Sequence, residues 1–278
     1  MTTEHYRKGV SDADIERLCG AEIAQLMACV VPRTPCAGAS AIEPGHGEAE
    51  PQTGSNYRVN PGNLTSETVE CLESILEKPN LTSTQRRDEL GCSTYKFDQL
   101  KKRLLAMGLA EELAINFGTA AGGICKFLEL TERGCAALEQ KPGWKRPAGM
   151  SGEHWWWQRN LADWYRAQGL KAEIETCLNG KRADVGFIKD GLKVAIEVGL
   201  TAKNEVVNVQ KDLEAGFDRV LVACRDAKVR KAVEESLQRT VSPDKLERVK
   251  LIMLSDFSFV KEILENKPGR VKSALQGL

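Results

Sequence analysis

The 278-residue sequence predicts an α+β molecule in two folded parts, a small helical part closed by a hairpin and then an α/β part with a mixed central sheet. Three observations predict it. The stretch 171–203 carries Asn179-Gly180 and Asp190-Gly191 between short apolar-alternating runs, and these dipeptides suit two-residue hairpin turns whose central positions need positive φ. The stretch 61–140 shows helical spacing three times and then changes to strand spacing. Pro, Gly and small residues gather at 34–60 and again at 141–150, which divides the chain.

Lys plus Arg and Asp plus Glu number 39 each, so total charge indicates no polyanionic partner and any nucleic-acid surface has to be local. No apolar run reaches the about 18 residues that cross a bilayer, and no signal peptide is legible, so neither a membrane nor export is expected. The nine cysteines are scattered. An odd, unpatterned set points to reduced thiols, a cytoplasmic setting and no zinc site.

Residues 1–33 hold one amphipathic helix, Ser11 to Val31, with Ile15, Leu18, Cys19, Ile23, Leu26 and Met27 at helical spacing. Such a helix needs a partner surface. Docking on the body of the protein, self-association and binding another protein all stay open. Residues 34–60 read as a flexible linker.

In residues 61–140, Asn63-Leu64-Thr65-Ser66 with Glu67 opens a first helix, with Val69, Leu72, Ile75 and Leu76 facing inward. Thr82 caps a second helix, Ser83 to Leu90, stopped by Gly91. Ser93 caps a third, Thr94 to Met107, with Phe97, Leu100, Leu104 and Leu105 inward and Gly108 as its stop. A hairpin of 109–115 with 124–130 follows, and Leu128-Glu-Leu-Thr-Glu-Arg-Gly134 leads into a closing helix. This order and the GL…LxLTxxG ending resemble the winged helix-turn-helix of bacterial transcription regulators. The resemblance implies duplex DNA as partner and the third helix as recognition helix, where Tyr95, Lys96, Gln99, Lys102 and Arg103 face outward. Lys and Arg on phosphates give sequence-independent affinity, while Gln and Tyr can reach base edges. The segment has no surplus of basic residues, so a protein-contact module stays open as the other reading.

Residues 141–150 form a short Pro/Gly-rich joint, and 151–278 form the last domain. It opens with an aromatic helix, Gly152 to Gln168, whose Trp155, Trp156, Leu161, Trp164 and Tyr165 suit a core. Three antiparallel strands fill 171–203. A helix from Thr201 to Ala215, a strand Asp218–Cys224, a helix Ala227–Gln238, a strand Val249–Leu254 and a helix Phe257–Asn266 complete it. The strand–helix–strand part is expected to be parallel and helix-covered.

Counting back from the two turns sets Asp184 opposite Glu197 and Glu175 opposite Asp184, so all three carboxylates share one face. Val185, Phe187, Val194, Ile196 and Val198 take the other. Opposed positions lie about 5 Å apart, where like charges destabilise a sheet. Either the face is solvated, or a hard cation with oxygen ligands sits there.

Asp184, a gap and Ile196-Glu197-Val198, after a helix opening Gly152-Glu153-His154, resemble the PD-(D/E)XK nuclease superfamily, and more narrowly the small endonuclease-like domains of bacterial mobile and conjugative elements. The matching text runs from Ser151 to Arg225. The resemblance implies a restriction-endonuclease-like α/β domain with a mixed central sheet. It makes Asp184 and Glu197 catalytic and makes Glu153, Asp184 and Glu197 ligands of Mg²⁺ or Mn²⁺, with the Val198 carbonyl added. The family's lysine two residues after the Glu is Gly199 here. Lys211 sits where some members carry a relocated lysine and is the expected catalytic substitute. Two functions stay open: a Mg²⁺-dependent deoxyribonuclease, or an inactive DNA-binding adaptor that recruits a DNA-processing ATPase through the N-terminal helix.

Overall fold

The computed structural model describes residues 64–118, 123–141 and 146–265. The helix expected within 1–33, the linker 34–60 and the hairpin tip 119–122 lie outside the described residues.

Helix α1 (Ser66–Glu77) starts where the Thr65 hydroxyl accepts from Thr68 N. Its buried stripe is Thr68, Cys71, Leu72 and Ile75, at helical spacing. Leu76, expected inward, is exposed, and Val69 is only half-buried. The helix is rolled because Arg86 of α2 (Ser83–Glu89) is buried against it, with Nη1 2.8 Å from Ser74 Oγ and Nη2 2.8 Å from Lys78 O. The polar Ser74 side therefore turns inward. Thr82 and Gln85 form a reciprocal capping box at the start of α2. Helix α3 (Thr94–Ala106) is capped by Ser93 and buries Phe97, Leu100 and Leu104.

Strands β1 (Ala110–Asn116) and β2 (Ile124–Leu130) pair antiparallel from Ala110↔Leu130 to Asn116↔Ile124. A single bridge, Thr82↔Phe127, ties the start of α2 to this hairpin. Helix α4 (Glu132–Ala137) is capped by Thr131, whose hydroxyl also donates to Gly108 O at 2.6 Å. Gly134 follows because a Cβ there would lie 2.0 Å from Leu109 O.

Helix α5 (Gly152–Ala167) is capped by Ser151 and buries Trp155, Trp156, Trp157, Leu161 and Tyr165. Next come β3 (Glu173–Leu178), β4 (Lys181–Lys189), β5 (Leu192–Gly199), α6 (Glu205–Ala215), β6 (Arg219–Cys224), α7 (Ala227–Thr240), α8 (Pro243–Leu246), β7 (Val249–Met253) and α9 (Ser258–Glu265). The sheet order is β3-β4-β5-β6-β7, antiparallel through β5 and parallel beyond it. This is the mixed sheet the sequence predicts. Asn179-Gly180 and Asp190-Gly191 all have positive φ and form the two tight turns. Phe187 packs on Tyr165 of α5 with ring centroids 4.7 Å apart. Ala195, Val220, Val222 and Cys224, on the opposite face, pack with Val209 and Leu213 of α6 and Val229, Val233 and Leu237 of α7. Helix α6 begins at Glu205, four residues later than the sequence spacing suggests, because residues 200–204 bend before the helical hydrogen bonds start.

The hairpin β1–β2 is built into the second half of the molecule. Phe117 is fully buried and meets Trp156 and Trp157 edge-on at 5.6 and 5.5 Å. Asn116 N donates to Glu153 Oε1 at 2.9 Å, Arg159 pairs with Glu129, and Arg146 pairs with Glu111 at 3.0 Å. Gly118 lies so close to the β6–α7 connection that a Cβ would fall 2.0 Å from Arg225 O. All described residues belong to the single unit Tyr57–Leu278.

Candidate active site

Asp184 stands where β4 parts from β5. Val185↔Ile196 is the last pair of that ladder, and Val198 N donates to Asp184 Oδ2 at 2.7 Å. The expected register holds on both sides of the acids. Thr176↔Ala183 and Ile174↔Val185 flank Glu175 and Asp184, although neither acid is itself in the ladder. Glu175 leaves it through a left-handed backbone, φ 53°. Asp184 Oδ1 lies 3.0 Å from His154 Nε2 and 2.9 Å from Gln158 Nε2, both on α5. Gln158 Nε2 also reaches Glu175 Oε1 at 2.9 Å.

Glu197 faces the other helical layer and is only 2% exposed, so this acidic face is covered by α6 rather than solvated. Lys211 of α6 brings Nζ 3.3 Å from Glu197 Oε1 and 3.4 Å from Asp212 Oδ1, and it donates to Arg182 O. Burial pushes the Glu197 carboxyl up to about 10; the Asp184 charge and Asp212 add to the rise, and Lys211 opposes it. The Asp212 carboxyl is also raised, by burial first. Glu205, at the start of α6, is raised to about 7 by burial and the Asp184 charge, and its Oε2 is buried without a hydrogen-bond partner among the described residues. His154 is raised in its turn: burial opposes its charged form, but the Asp184 hydrogen bond and charge outweigh burial.

The structure brings Lys211 onto Glu197, and the strand register sets Asp184 across from Glu197, next after the Val185↔Ile196 pair. It sets Glu153 elsewhere. Glu153 Oε1 accepts from the β1 backbone at Asn116, and the α5 side chains that reach Asp184 are those of His154 and Gln158. The physical reason is the docked hairpin, which draws the first-turn carboxylate toward an open backbone N–H. At position 199 a Cβ would make a tight contact with Val222 Cγ1, at 3.3 Å. Gln158, Glu205 and Asp212 were missed. For Gln158 the signal is its i, i+4 spacing from His154, which puts both on one helix face. For Glu205 it was hidden by the misplaced start of α6.

Among the described residues no three His, Cys, Asp or Glu side chains converge as metal ligands. The chemistry of the donors still suits a hard cation. Mg²⁺ keeps several waters and is commonly bound through one or two carboxylates, which Asp184 and Glu197 can supply. On α3, Tyr95, Lys96, Gln99, Lys102 and Arg103 are all exposed, Tyr95 to 76%. Lys96 is paired with Glu67 at 2.6 Å. None of the six cysteines among the described residues is in a disulfide, and no described helix is long and apolar enough to cross a membrane.

No family model and no curated protein matches this chain. One solved structure, the PcaV transcriptional regulator from Streptomyces coelicolor in complex with its natural ligand, is similar over 28% of this chain and 52% of its own, at 19% identity and a TM-score of 0.24. The match spans about half that regulator's length, and a likeness of this extent carries no argument for fold or activity.

Proposed function

We propose that this protein is a DNA-binding, metal-dependent endonuclease, in which residues 61–140 act as a winged helix-turn-helix and residues 151–278 as a PD-(D/E)XK-type hydrolase domain. One observation carries the reading. Asp184 and Glu197 flank the point where β4 and β5 separate, inside a buried carboxylate cluster in which Lys211 pairs with Glu197. Like charges sequestered from water are costly, and strongly raised carboxyls beside a specific cation partner mark functional sites more often than structural ones.

Asp184 and Glu197 would hold Mg²⁺ or Mn²⁺, which when bound organises a water and offsets charge on phosphate. Lys211 takes the role of the missing lysine at 199, neutralising phosphate charge beside Glu197. Val198 N, His154 and Gln158 fix the Asp184 carboxylate. The order of helix, bridge, two helices and hairpin supports the winged-helix reading, with the exposed face of α3 meeting duplex DNA. The test is cleavage of duplex DNA with Mn²⁺ or Mg²⁺. Asp184→Asn and Glu197→Gln should abolish it, and Lys211→Ala should slow it by on the order of 10²–10³.

A second reading has its own support. Both Asp184 oxygens already have protein donors, and no three-ligand cluster is assembled among the described residues. On this reading the protein is an inactive DNA-binding adaptor, and recruitment of a DNA-processing ATPase or self-association falls to residues 1–33. Equal inactivity of wild type and both carboxylate variants, with duplex binding intact, selects it.

A further inference from the structure

Gln158 is fully buried, yet it is the polar residue on which two strands and a helix meet. Its Nε2 lies 2.9 Å from Asp184 Oδ1 and 2.9 Å from Glu175 Oε1. The orientation of the amide follows from its neighbours. Turned over, the carboxamide oxygen would face two carboxylate oxygens at hydrogen-bond distance, which is repulsive. The two amide hydrogens are therefore both taken by carboxylates. His154 Nε2, 3.3 Å from the same nitrogen, must direct its own proton to Asp184. Gln158 Oε1 is left buried with no partner among the described residues, and a buried polar atom in that state calls for an explanation.

Glu175 gives a second, independent observation. It is a non-glycine residue at φ 53° in the middle of a strand, a conformation that costs about 1–3 kcal/mol and persists only where its surroundings over-determine it. Thr176 Oγ1 donates to Glu173 O at 2.8 Å across the distortion. Gly186 opposite leaves the space Thr176 fills, since a Cβ at 186 would sit 2.7 Å from Thr176 Cβ. The strained residue is the one whose carboxylate meets Gln158.

We propose that Gln158 is a positioning residue of the hydrolytic site: its single amide nitrogen clamps Asp184 and Glu175 from adjacent strands and so sets the direction in which Asp184 meets a divalent cation. The inference rests on the nuclease reading above. The amide does between these two carboxylates what a cation would otherwise do, and it leaves Asp184 free of a permanent positive charge. A lysine or arginine in its place would compete with the metal.

The experiment is duplex cleavage and Mn²⁺ binding by titration calorimetry, on the full chain, for wild type, Gln158→Leu, Gln158→Met and Glu175→Ala. Gln158→Leu should raise the Mn²⁺ concentration for half-maximal cleavage and the Mn²⁺ dissociation constant by about 10–100-fold, the usual effect of losing a group that orients a metal ligand. Cleavage at saturating Mn²⁺ should fall far less. Glu175→Ala, at a half-buried strand position that does not threaten folding, should give a smaller rise in the same direction. Gln158→Met keeps nearly the same shape and removes both amide hydrogens, so it should weaken Mn²⁺ binding as Gln158→Leu does, which a merely packing role for Gln158 does not predict. An unchanged Mn²⁺ dependence in Glu175→Ala and in a folded Gln158→Leu, beside an active wild type, overturns the positioning role alone. A wild type that neither cleaves nor binds Mn²⁺ overturns the nuclease reading and this inference with it.

Discussion

With its carboxyl almost sealed from water and Asp184 and Asp212 close by, Glu197 folds more readily with a proton than without one. In the unfolded chain the group titrates near its ordinary 4.5, and in the folded protein near 10. Between those values the native state holds a proton that the unfolded state has lost, so stability is full below about pH 4.5 and falls as pH rises. Glu205, raised to about 7, adds a loss that is complete just above neutrality. Glu197→Gln removes the larger effect. Urea unfolding at pH 8 should find the variant more stable than wild type by on the order of 1 kcal/mol or more, with the gap closing near pH 4.5. Parallel pH profiles would show that the native carboxyl is not raised. A variant that gains stability while losing cleavage is the pattern of a strained functional site.

Among the elements, α4 and α3 make separable demands. Helix α4 can start only where Thr131 caps it and where the backbone of Gly134 touches Leu109 O. Gly134→Ala must push those segments apart and is expected to cost about 1–3 kcal/mol, read as a lower urea midpoint at unchanged slope. On helix α3, Lys96 is paired with Glu67 and Lys101 with Glu112, whereas Lys102 and Arg103 are exposed and form no ion pair among the described residues. Lys102→Ala and Arg103→Ala should therefore leave stability within about 0.5 kcal/mol. Each should weaken duplex binding and shrink the salt dependence of log K by about 1 if it neutralises one phosphate. Unaltered duplex affinity in the double variant would remove α3 from the DNA interface.

At the scale of the whole molecule, the hairpin and α5 share one aromatic core. Phe117, Phe127, Trp156 and Trp157 are all buried and in ring contact, and Phe259 of α9 meets both tryptophans at about 6 Å. An interface of that kind does not open separately from the cores it joins. Phe117→Ala should cost about 3–5 kcal/mol, and wild-type unfolding of the region from Tyr57 onward should follow one transition by fluorescence and circular dichroism. Two resolved transitions would mean that the hairpin part and the sheet part fold independently. Arg146, within the stretch read as a joint, pairs with Glu111 of β1. One consequence is geometric. With the hairpin fixed to α5, the exposed face of α3 stands at a set distance from Asp184.

The sequence sufficed for the order of elements, both hairpin turns and the register that sets Asp184 across from Glu197. These follow from local rules: glycine-bearing dipeptides at positive φ fix the turns, and a period of two fixes which side chains share a face. Lys211 was legible as a candidate from its position in the helix after β5. Only the tertiary structure decided that α6 covers Glu197, that Glu153 serves the hairpin backbone, and that His154 and Gln158 are the α5 residues at Asp184. It also decided that Arg86 would roll α1 and that Phe117 would join two apparent domains into one core. The reason is the same in each case. A one-dimensional pattern gives the face a residue occupies, whereas its partner, its burial and hence its charge are set by which distant element packs on that face.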